Sequence, residues 1–316
     1  MSTMTPRATA MRQGSKKVRS RRRWHQNWQL YSLLVLPVAY FIIFRYLPMA
    51  GNVIAFRQYV PGGSIFGESW TGFQNFELFL ADPSFWLVFR NTVMLGGLAL
   101  VIGFPAPIIL ALLLNELRSA GFKRFVQTTT YLPHFLSIVI VAGMILQLTS
   151  LTGSINHLLT TVGLDKISFI QEPGWFPAIY VGSEIWQTVG WGTILYLAAL
   201  TQIDENLYEA ARIDGANRWQ QTWHVTLPGI APTIVTLLIL NIGSFLSVGF
   251  EKILLLQNPS TYSTSDVIST YLYRVGIQSG SFSYAAAIGI FEALIGLVLI
   301  GAANLISKRI VGASLW

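Results

Sequence analysis

Residues 201–228 read Thr-Gln-Ile-Asp-Glu-Asn-Leu-Tyr-Glu-Ala-Ala-Arg-Ile-Asp-Gly-Ala-Asn-Arg-Trp-Gln-Gln-Thr-Trp-His-Val-Thr-Leu-Pro, a polar stretch in an otherwise apolar part of the chain. It separates two windows without Asp, Lys or Arg, residues 178–200 and 231–250. Both windows are as long as a helix that crosses the hydrocarbon core of a bilayer, which takes about 20 apolar residues. The polar stretch is therefore expected to be a connection between two membrane helices.

The local signals in this stretch predict two short helices. Asp204 is a good N-cap, and Glu205 carries its charge in the first turn, where the helix dipole favours an acid. Gly215 can adopt the left-handed conformation that ends a helix. A second helix is expected from Ala216 to His224, until Pro228 redirects the chain into the next apolar window.

The composition of the whole chain indicates an integral membrane protein. Of 316 residues, 53% are hydrophobic and 11% are charged, whereas an average soluble domain carries about 25% charged residues. A soluble domain of this size cannot bury so much apolar surface. Because there is no cysteine, disulfides, thiolate nucleophiles and Cys-based metal sites are excluded. The four histidines are scattered without ligand spacing, so no metal site and no catalytic site is predicted.

Six windows are apolar and long enough to be membrane helices, which predicts an all-α integral membrane fold with six transmembrane helices. The first follows a basic run, as a secretory signal does, but it lacks an A-x-A cleavage site and is expected to be retained. The six windows are residues 28–47, 88–115, 126–148, 178–200, 231–250 and 284–306.

The distribution of Lys and Arg predicts that both termini are cytoplasmic. Eight of the 21 basic residues lie in a tail, residues 1–27, which contains no acid. With this tail inside, the inner segments hold fifteen basic residues and the outer loops hold four, as the positive-inside rule requires. The alternative for the tail is a nucleic-acid contact, and an anchor on anionic membrane lipid is the preferred interpretation.

The polar stretch also resembles a known motif. Its Glu209-Ala210-Ala211, Asp214-Gly215-Ala216 and Leu227-Pro228 resemble the EAA loop of permease subunits in binding-protein-dependent ABC importers. Val225 stands where that family more often has Ile. An amphipathic helix lying on the membrane surface is the alternative interpretation.

Further segments resemble one branch of this family, the polysaccharide- and oligosaccharide-type permeases related to the first membrane subunit of maltose and glycerol-3-phosphate importers. The resemblance covers a six-span permease domain, residues 28–316, with a coupling loop at residues 201–230, and implies the type I ABC importer permease architecture. The segments that carry it are Tyr46–Phe56, Trp70–Phe76, Asn91-Thr92, Tyr131–His134, Gly190–Leu200, Phe250-Glu251 and Asn258-Pro259.

The resemblance implies a set of partners in a bacterial inner or plasma membrane. These are a second permease subunit, a dimer of ABC ATPase subunits, an extracytoplasmic solute-binding protein and an oligosaccharide substrate, with no nucleic acid. The sequence has no G-x-x-x-x-G-K-[ST] run, so it cannot hold nucleotide phosphates in a Walker A loop. We therefore expect no cofactor on this chain and ATP with Mg²⁺ on the partner ATPase. The residues expected to couple ATPase closure to the spans are Glu209, Ala210, Ala211, Asp214, Gly215, Leu227 and Pro228.

A substrate path is predicted in the fourth and fifth windows. Tyr180, Glu184, Gln187 and Trp191 recur at spacings of four, three and four, which places them on one helical face. An aromatic ring suits the flat face of a sugar, and amide or carboxylate groups suit its hydroxyls. Contacts between helices within the permease explain the same residues equally well. A weaker pair on the fifth window is Asn241 with Ser244.

Two other functions remain as alternatives. An ion-coupled secondary transporter would not need an ATPase, but such proteins often show a repeated fold with broken helices, and no repeat is visible. A membrane-embedded enzyme would need a recognisable set of catalytic groups. Glu184 and Glu292 are the only carboxylates available to pair within the windows, and nothing around them completes such a set.

Overall fold

The computed structural model describes residues 28–310, and the predicted basic tail, residues 1–27, lies outside the described residues. This part of the chain is mostly helical, which confirms the all-α class. Its one sheet is a two-stranded antiparallel pair. The elements are α1 Trp28–Phe41, β1 Arg57–Gln58, β2 Ser69–Trp70, α2 Gln74–Ala81, α3 Pro83–Leu98, α4 Pro105–Glu116, α5 Ala120–Tyr131, α6 Ile138–Thr149, α7 Ser154–Thr161, α8 Phe176–Leu200, α9 Glu205–Ile213, α10 Arg218–Gln221, α11 Leu227–Gly243, α12 Phe250–Leu256, α13 Tyr262–Ser265, α14 Ile268–Leu272 and α15 Phe282–Ile310, with a one-turn helix at Leu47–Met49.

The chain divides into two compact units, residues 1–52 and 53–316. In the first unit, α1 continues through a π-helical turn at Ile42–Tyr46. Its apolar side chains are exposed on all sides. A helix that is apolar all round is suited to lipid or to a protein partner, and not to water.

The second unit buries its apolar side chains in three clusters. One lies around α8 and α12 and includes Tyr180, Val248 and Ile253. A second joins α3, α14 and α15 through Phe85 and Ile288. The third packs α4 against α8 and α11. α8 takes part in the first and the third cluster, so it is the central helix of this unit.

Three helices contain a π-helical turn that ends two residues before a proline. The turns are Ile42–Tyr46 before Pro48, Ala99–Gly103 before Pro105, and Thr222–Thr226 before Pro228. Proline lacks an N–H, and its ring clashes with the carbonyl four residues earlier. In each turn the residue before proline bonds to the carbonyl five residues back; this wider turn makes room for the ring. At Pro105 the chain thus stays helical through the π-helical turn that precedes it.

Within the described residues, five helices are long and apolar enough to cross a membrane. The helix expected at residues 178–200 is present as α8, with 25 residues. It is not one of the five, because Ser183, Glu184, Gln187 and Thr188 interrupt its apolar surface. The five are Tyr31–Phe56, Pro83–Glu116, Ile138–Thr161, Arg218–Gly243 and Phe282–Arg309.

Two predicted windows have the wrong bounds. Residues 126–148 are not one helix, since a 3-10 turn at Leu132–Phe135 separates α5 from α6. Pro133 lies in that turn, and Ser137 then caps α6 by accepting a hydrogen bond from Val139 N. Residues 231–250 are also interrupted, because α11 ends at Gly243 and α12 begins only at Phe250.

The predicted outer face is held together by polar contacts over long sequence distances. Asp266 is buried and paired with Arg274, whose guanidinium also lies over the ring of Tyr262. Asp82 accepts hydrogen bonds from the hydroxyls of Tyr271 at 2.8 Å and Tyr284 at 3.2 Å. Burial acts to raise the pKa of Asp82, but these bonds and those from Ser84 outweigh it and lower the pKa.

Candidate functional sites

The polar stretch forms an exposed helix with well-defined ends. Asp204 caps α9 by accepting a hydrogen bond from Asn206 N at 3.0 Å. Gly215 has φ +80°, and Ala216 N donates to Ala211 O at 2.9 Å, closing the last turn. The predicted N-cap and the predicted left-handed stop are both confirmed.

None of the residues of α9 is buried. Glu209, Ala210, Asp214 and Gly215 are exposed, and Ala211 is half-buried. Beside them Ile213 is 86% exposed, an apolar side chain left uncovered next to small residues. The helix therefore offers an uncovered surface on which another backbone can approach closely.

Two contacts tie the segment formed by α9 and α10 to other helices. The hydroxyl of Tyr208 lies 3.0 Å from the hydroxyl of Thr226, at the start of α11. Arg218 forms an ion pair with Glu116, at the end of α4, at 2.6 Å. Glu209 and Arg212 lie three positions apart on α9 but do not form one of the three ion pairs recorded between residues 28 and 310.

Pro228 does not redirect the chain, contrary to the expectation. The helix is continuous from Arg218 to Gly243, with Leu227 and Pro228 in the first turn of α11. The π-helical turn at Thr222–Thr226 accommodates the proline ring, as described above. Any displacement of α10 is thus passed directly into α11.

A cavity of about 420 Å³ lies among α3, α4, α8 and α11. Its wall brings together five of the six residues that the sequence assigned to the substrate path: Tyr180, Glu184, Trp191, Asn241 and Ser244. The side chains of Asn241 and Ser244 donate to carbonyls of their own helix, at 2.9 and 3.1 Å. They therefore still have acceptor oxygens for a ligand.

Gln187 does not line the cavity, although its spacing places it on the same face of α8. It is buried, and its amide donates to Leu136 O at 3.5 Å. The turn Leu132–Phe135 and the residue after it pack against α8 at this level and cover Gln187. The structure thus gives Gln187 a contact between helices, as the alternative interpretation expected.

Trp191 has a partner that the sequence did not indicate. The imidazole of His134 stacks on its indole, with 4.5 Å between ring centroids and planes 6° apart. Both rings line the cavity, and Trp191 is 47% exposed. The stacking holds the indole in place and leaves aromatic surface open to the cavity.

Glu184 also has an unexpected partner. Counting charges placed Lys252 in an outer loop, but its side chain is 2% exposed and its Nζ lies 2.5 Å from Oε2 of Glu184. The two residues are 68 positions apart, so no local pattern indicates the contact. The only signal in the sequence is the position of a lysine within a mostly apolar run, residues 246–256.

The helix interruption between α11 and α12 lies at the cavity. Ser244, Phe245, Ser247, Val248 and Gly249 all line it. Non-helical backbone at membrane depth is tolerated where it lines a cavity or is buried in protein. At Gly249 a Cβ would stand 3.0 Å from the hydroxyl of Tyr180, so a glycine allows this close approach of the segment to α8.

Three comparisons place this geometry among known proteins. Residues 103–312 match the family model described as "Binding-protein-dependent transport system inner membrane component". The chain is 46% identical over 285 residues to a polygalacturonan/rhamnogalacturonan transport system permease protein, YteP, of Bacillus subtilis (strain 168), covering 90% of this chain and 89% of that protein.

Two solved structures have the same fold. A bacterial alginate ABC transporter in complex with an alginate pentasaccharide-bound periplasmic protein contains a chain with TM-score 0.87 and 44% identity, covering 94% of this chain and 100% of that one. A bacterial ABC transporter involved in import of the acidic polysaccharide alginate gives TM-score 0.85 and 45% identity, covering 92% and 98%.

Proposed function

The chain belongs to the inner membrane components of binding-protein-dependent transport systems, and from that premise we propose that it imports oligosaccharides as one permease subunit of an ABC importer. It is a multi-pass inner-membrane transport subunit and not an enzyme. The proposal adds the substrate class, the topology, the partners and the residues that act.

One observation carries the proposal. The two helices that α9 and α10 connect, α8 and α11, are also helices that line the cavity. A force applied to the exposed surface of α9 can therefore reach the cavity directly through α8 and, by way of α10, through α11. Alternating access requires such a link between an energy-consuming partner and the site.

We propose six membrane spans, with α8 as the sixth and both termini cytoplasmic. Of the polar residues that keep α8 out of the apolar set, Glu184 and Thr188 line the cavity and Gln187 contacts a neighbouring segment, as polar groups inside membranes do. The excess of Lys and Arg in the connections on one side, among them Arg118, Arg212 and Arg218, supports a cytoplasmic position for α9.

The coupling role falls to Glu209, Ala210, Ala211, Asp214 and Gly215, with Leu227 and Pro228 joining the segment to α11. Their exposure and the small size of the alanines support docking of α9 on an ATPase subunit, which would hold ATP and Mg²⁺. A second permease and a solute-binding protein complete the assembly. The exposed apolar surface of α1 supports contact with lipid or with the second permease.

The substrate class follows from the cavity wall and from the relatives. The name of YteP describes transport of polygalacturonan or rhamnogalacturonan, and one of the two alginate transporter structures is described as involved in import of a polysaccharide. Here Trp191, stacked on His134, offers a ring for a sugar face, while Tyr180, Glu184, Asn241 and Ser244 offer oxygen atoms to hydroxyls. We therefore assign these residues to the substrate path and Gln187 to helix packing.

The test is purification of the tagged chain from its own membranes in mild detergent, with identification of every stoichiometric companion. We expect a second permease and a nucleotide-binding subunit, and ATP hydrolysis that a saccharide-loaded binding protein stimulates. A chain that purifies alone and moves sugar only along an ion gradient would replace this proposal with a secondary transporter.

A further inference from the structure

The proposed function does not explain which charged side chains line the cavity. Among the residues that line it, Glu184 is the one carboxylate, and no lysine or arginine lines it. The nearest cation recorded is Lys252, which is almost fully buried behind the carboxylate and is not part of the lining. The carboxylate of Glu184 therefore faces the cavity, and the ammonium of Lys252 lies behind it.

We propose that Glu184, held by Lys252, determines the charge specificity of this chain's wall: it accepts hydrogen bonds from the hydroxyls of a neutral sugar unit and excludes a sugar carboxylate. This inference rests on the proposed function for its substrate class. It assigns to Lys252 a positioning role that no local sequence pattern indicates.

The geometry leaves one carboxylate oxygen for a ligand. Lys252 Nζ contacts Oε2 at 2.5 Å, and no hydrogen bond to Oε1 is recorded within residues 28–310. The Glu184 side chain is 38% exposed. An ionised carboxylate accepts hydrogen bonds and cannot donate them, so Oε1 suits a hydroxyl and repels a uronate.

Burial of the lysine makes the pair costly to separate, because Lys252 is 2% exposed while the Glu184 side chain is 38% exposed. Removing one partner of a buried ion pair leaves an uncompensated charge, which destabilises strongly, whereas replacing both by neutral residues of similar volume is often tolerated. Lys252 therefore holds the Glu184 carboxylate in one position through its contact with Oε2. A site that rejects one ligand by charge gains specificity without needing more affinity for the other.

Because the chain contains no cysteine, a single introduced cysteine can report the electrostatic potential at the cavity wall. A Ser247→Cys reporter on the cavity wall, in the complete importer, is labelled separately with a cationic and an anionic methanethiosulfonate of similar size. The ratio of the two rates reports the local potential. Changes in thiolate fraction affect both reagents equally and cancel in the ratio.

Three additional changes are made in the reporter background. Glu184→Gln should lower the cationic-to-anionic ratio by about fivefold, and Lys252→Met should raise it by a similar factor, as expected for one charge a few ångströms away in partly hydrated surroundings. The double variant Glu184→Gln/Lys252→Met should lower the ratio by about threefold, because the carboxylate that it removes lines the cavity whereas the ammonium does not. It also keeps the test valid if either single variant fails to fold.

Glu172→Gln is the matched control. Glu172 is an exposed carboxylate just before α8 and outside the cavity lining, so solvent and salt should screen its effect on the ratio. The assignment would be overturned if the labelling ratios of Glu184→Gln and of the double variant both stayed within twofold of the reporter value.

Uptake completes the experiment in proteoliposomes with one binding protein that carries both a neutral and a uronic oligosaccharide. We expect the native chain to favour the neutral one and the double variant to lose about threefold of that preference, in line with its labelling ratio. A native preference for the uronic sugar, or equal loss of preference in Glu172→Gln, would refute the charge specificity. Absence of all ATP-dependent uptake by the native importer would instead refute the proposed function, and the labelling ratios would remain interpretable.

Discussion

The coupling segment and the cavity wall are joined to the same two helices, but they are stabilised in different ways. α9 buries none of its residues, and its ends are fixed by hydrogen bonds within a few positions of each other. α8 buries nine of its residues, and its cavity-facing contacts reach 68 positions along the chain. Local contacts fix the shape of the first region, whereas packing between distant segments fixes the second.

This difference predicts where substitutions destabilise the protein and where they only uncouple it. Changes in the cavity region should affect stability and substrate handling together. Changes in the coupling segment should leave the assembled protein stable and reduce only the transmission of movement. The variants below compare the two regions, beginning with the largest effect.

Among these variants, Gly190→Ala should lower the stability of the protein most, although it adds only one methyl group. A Cβ at Gly190 would lie 2.1 Å from Thr130 O, so α5 must move away from α8, at a cost of about 1–3 kcal/mol for overpacking. Thermal unfolding in detergent should show a clear drop. Gly182→Ala, in the same helix with nothing within 4 Å, should unfold like the native chain; equal stability of the two variants would contradict this packing.

Gly215→Pro should abolish at least about nine-tenths of uptake, because proline cannot adopt the φ of +80° that ends α9. The control is Gly163→Pro, which has φ +83° and open space around it in a predicted outer segment. Both variants strain the backbone, but only the first should separate ATP hydrolysis from transport. Glu209→Lys is expected to uncouple in the same way, without strain. Native coupling in Gly215→Pro and Glu209→Lys would remove α9 from the proposed mechanism.

The two regions also differ in how far they could be predicted from the sequence. Asp204, Gly215 and the two ends of α9 were predicted correctly, because caps and left-handed stops depend on neighbouring residues. The bounds at Leu132–Phe135 and at residues 244–249 were wrong, because hydropathy alone does not distinguish a broken apolar helix from a continuous one. Lys252 was missed for a related reason, since a long-range ion pair leaves no local pattern.

Trp191→Ala and Gln187→Ala should now have separate effects. Loss of the stacked indole should raise the KM for uptake about 5- to 10-fold, as expected when an aromatic contact is lost, with little change in stability. Gln187→Ala should instead lower thermal stability by about 1 kcal/mol, since it leaves Leu136 O without its recorded partner. If Gln187→Ala raised the KM as much as Trp191→Ala, the original assignment of Gln187 to the path would be restored.

Arg218→Gln should have the smallest effect, although its ion pair with Glu116 is geometrically close. Both side chains are about half exposed, so solvent screening should reduce the contribution to stability to about 0.2–1 kcal/mol. The pair nevertheless connects the end of α4 to α10, so it tests whether the coupling segment needs that second attachment. Glu116→Gln is the matched variant, and the double variant isolates the pair energy in a thermodynamic cycle. A coupling energy well above 1 kcal/mol, or loss of uptake in these variants, would show that the coupling segment depends on a distant contact and would remove the contrast with the cavity wall.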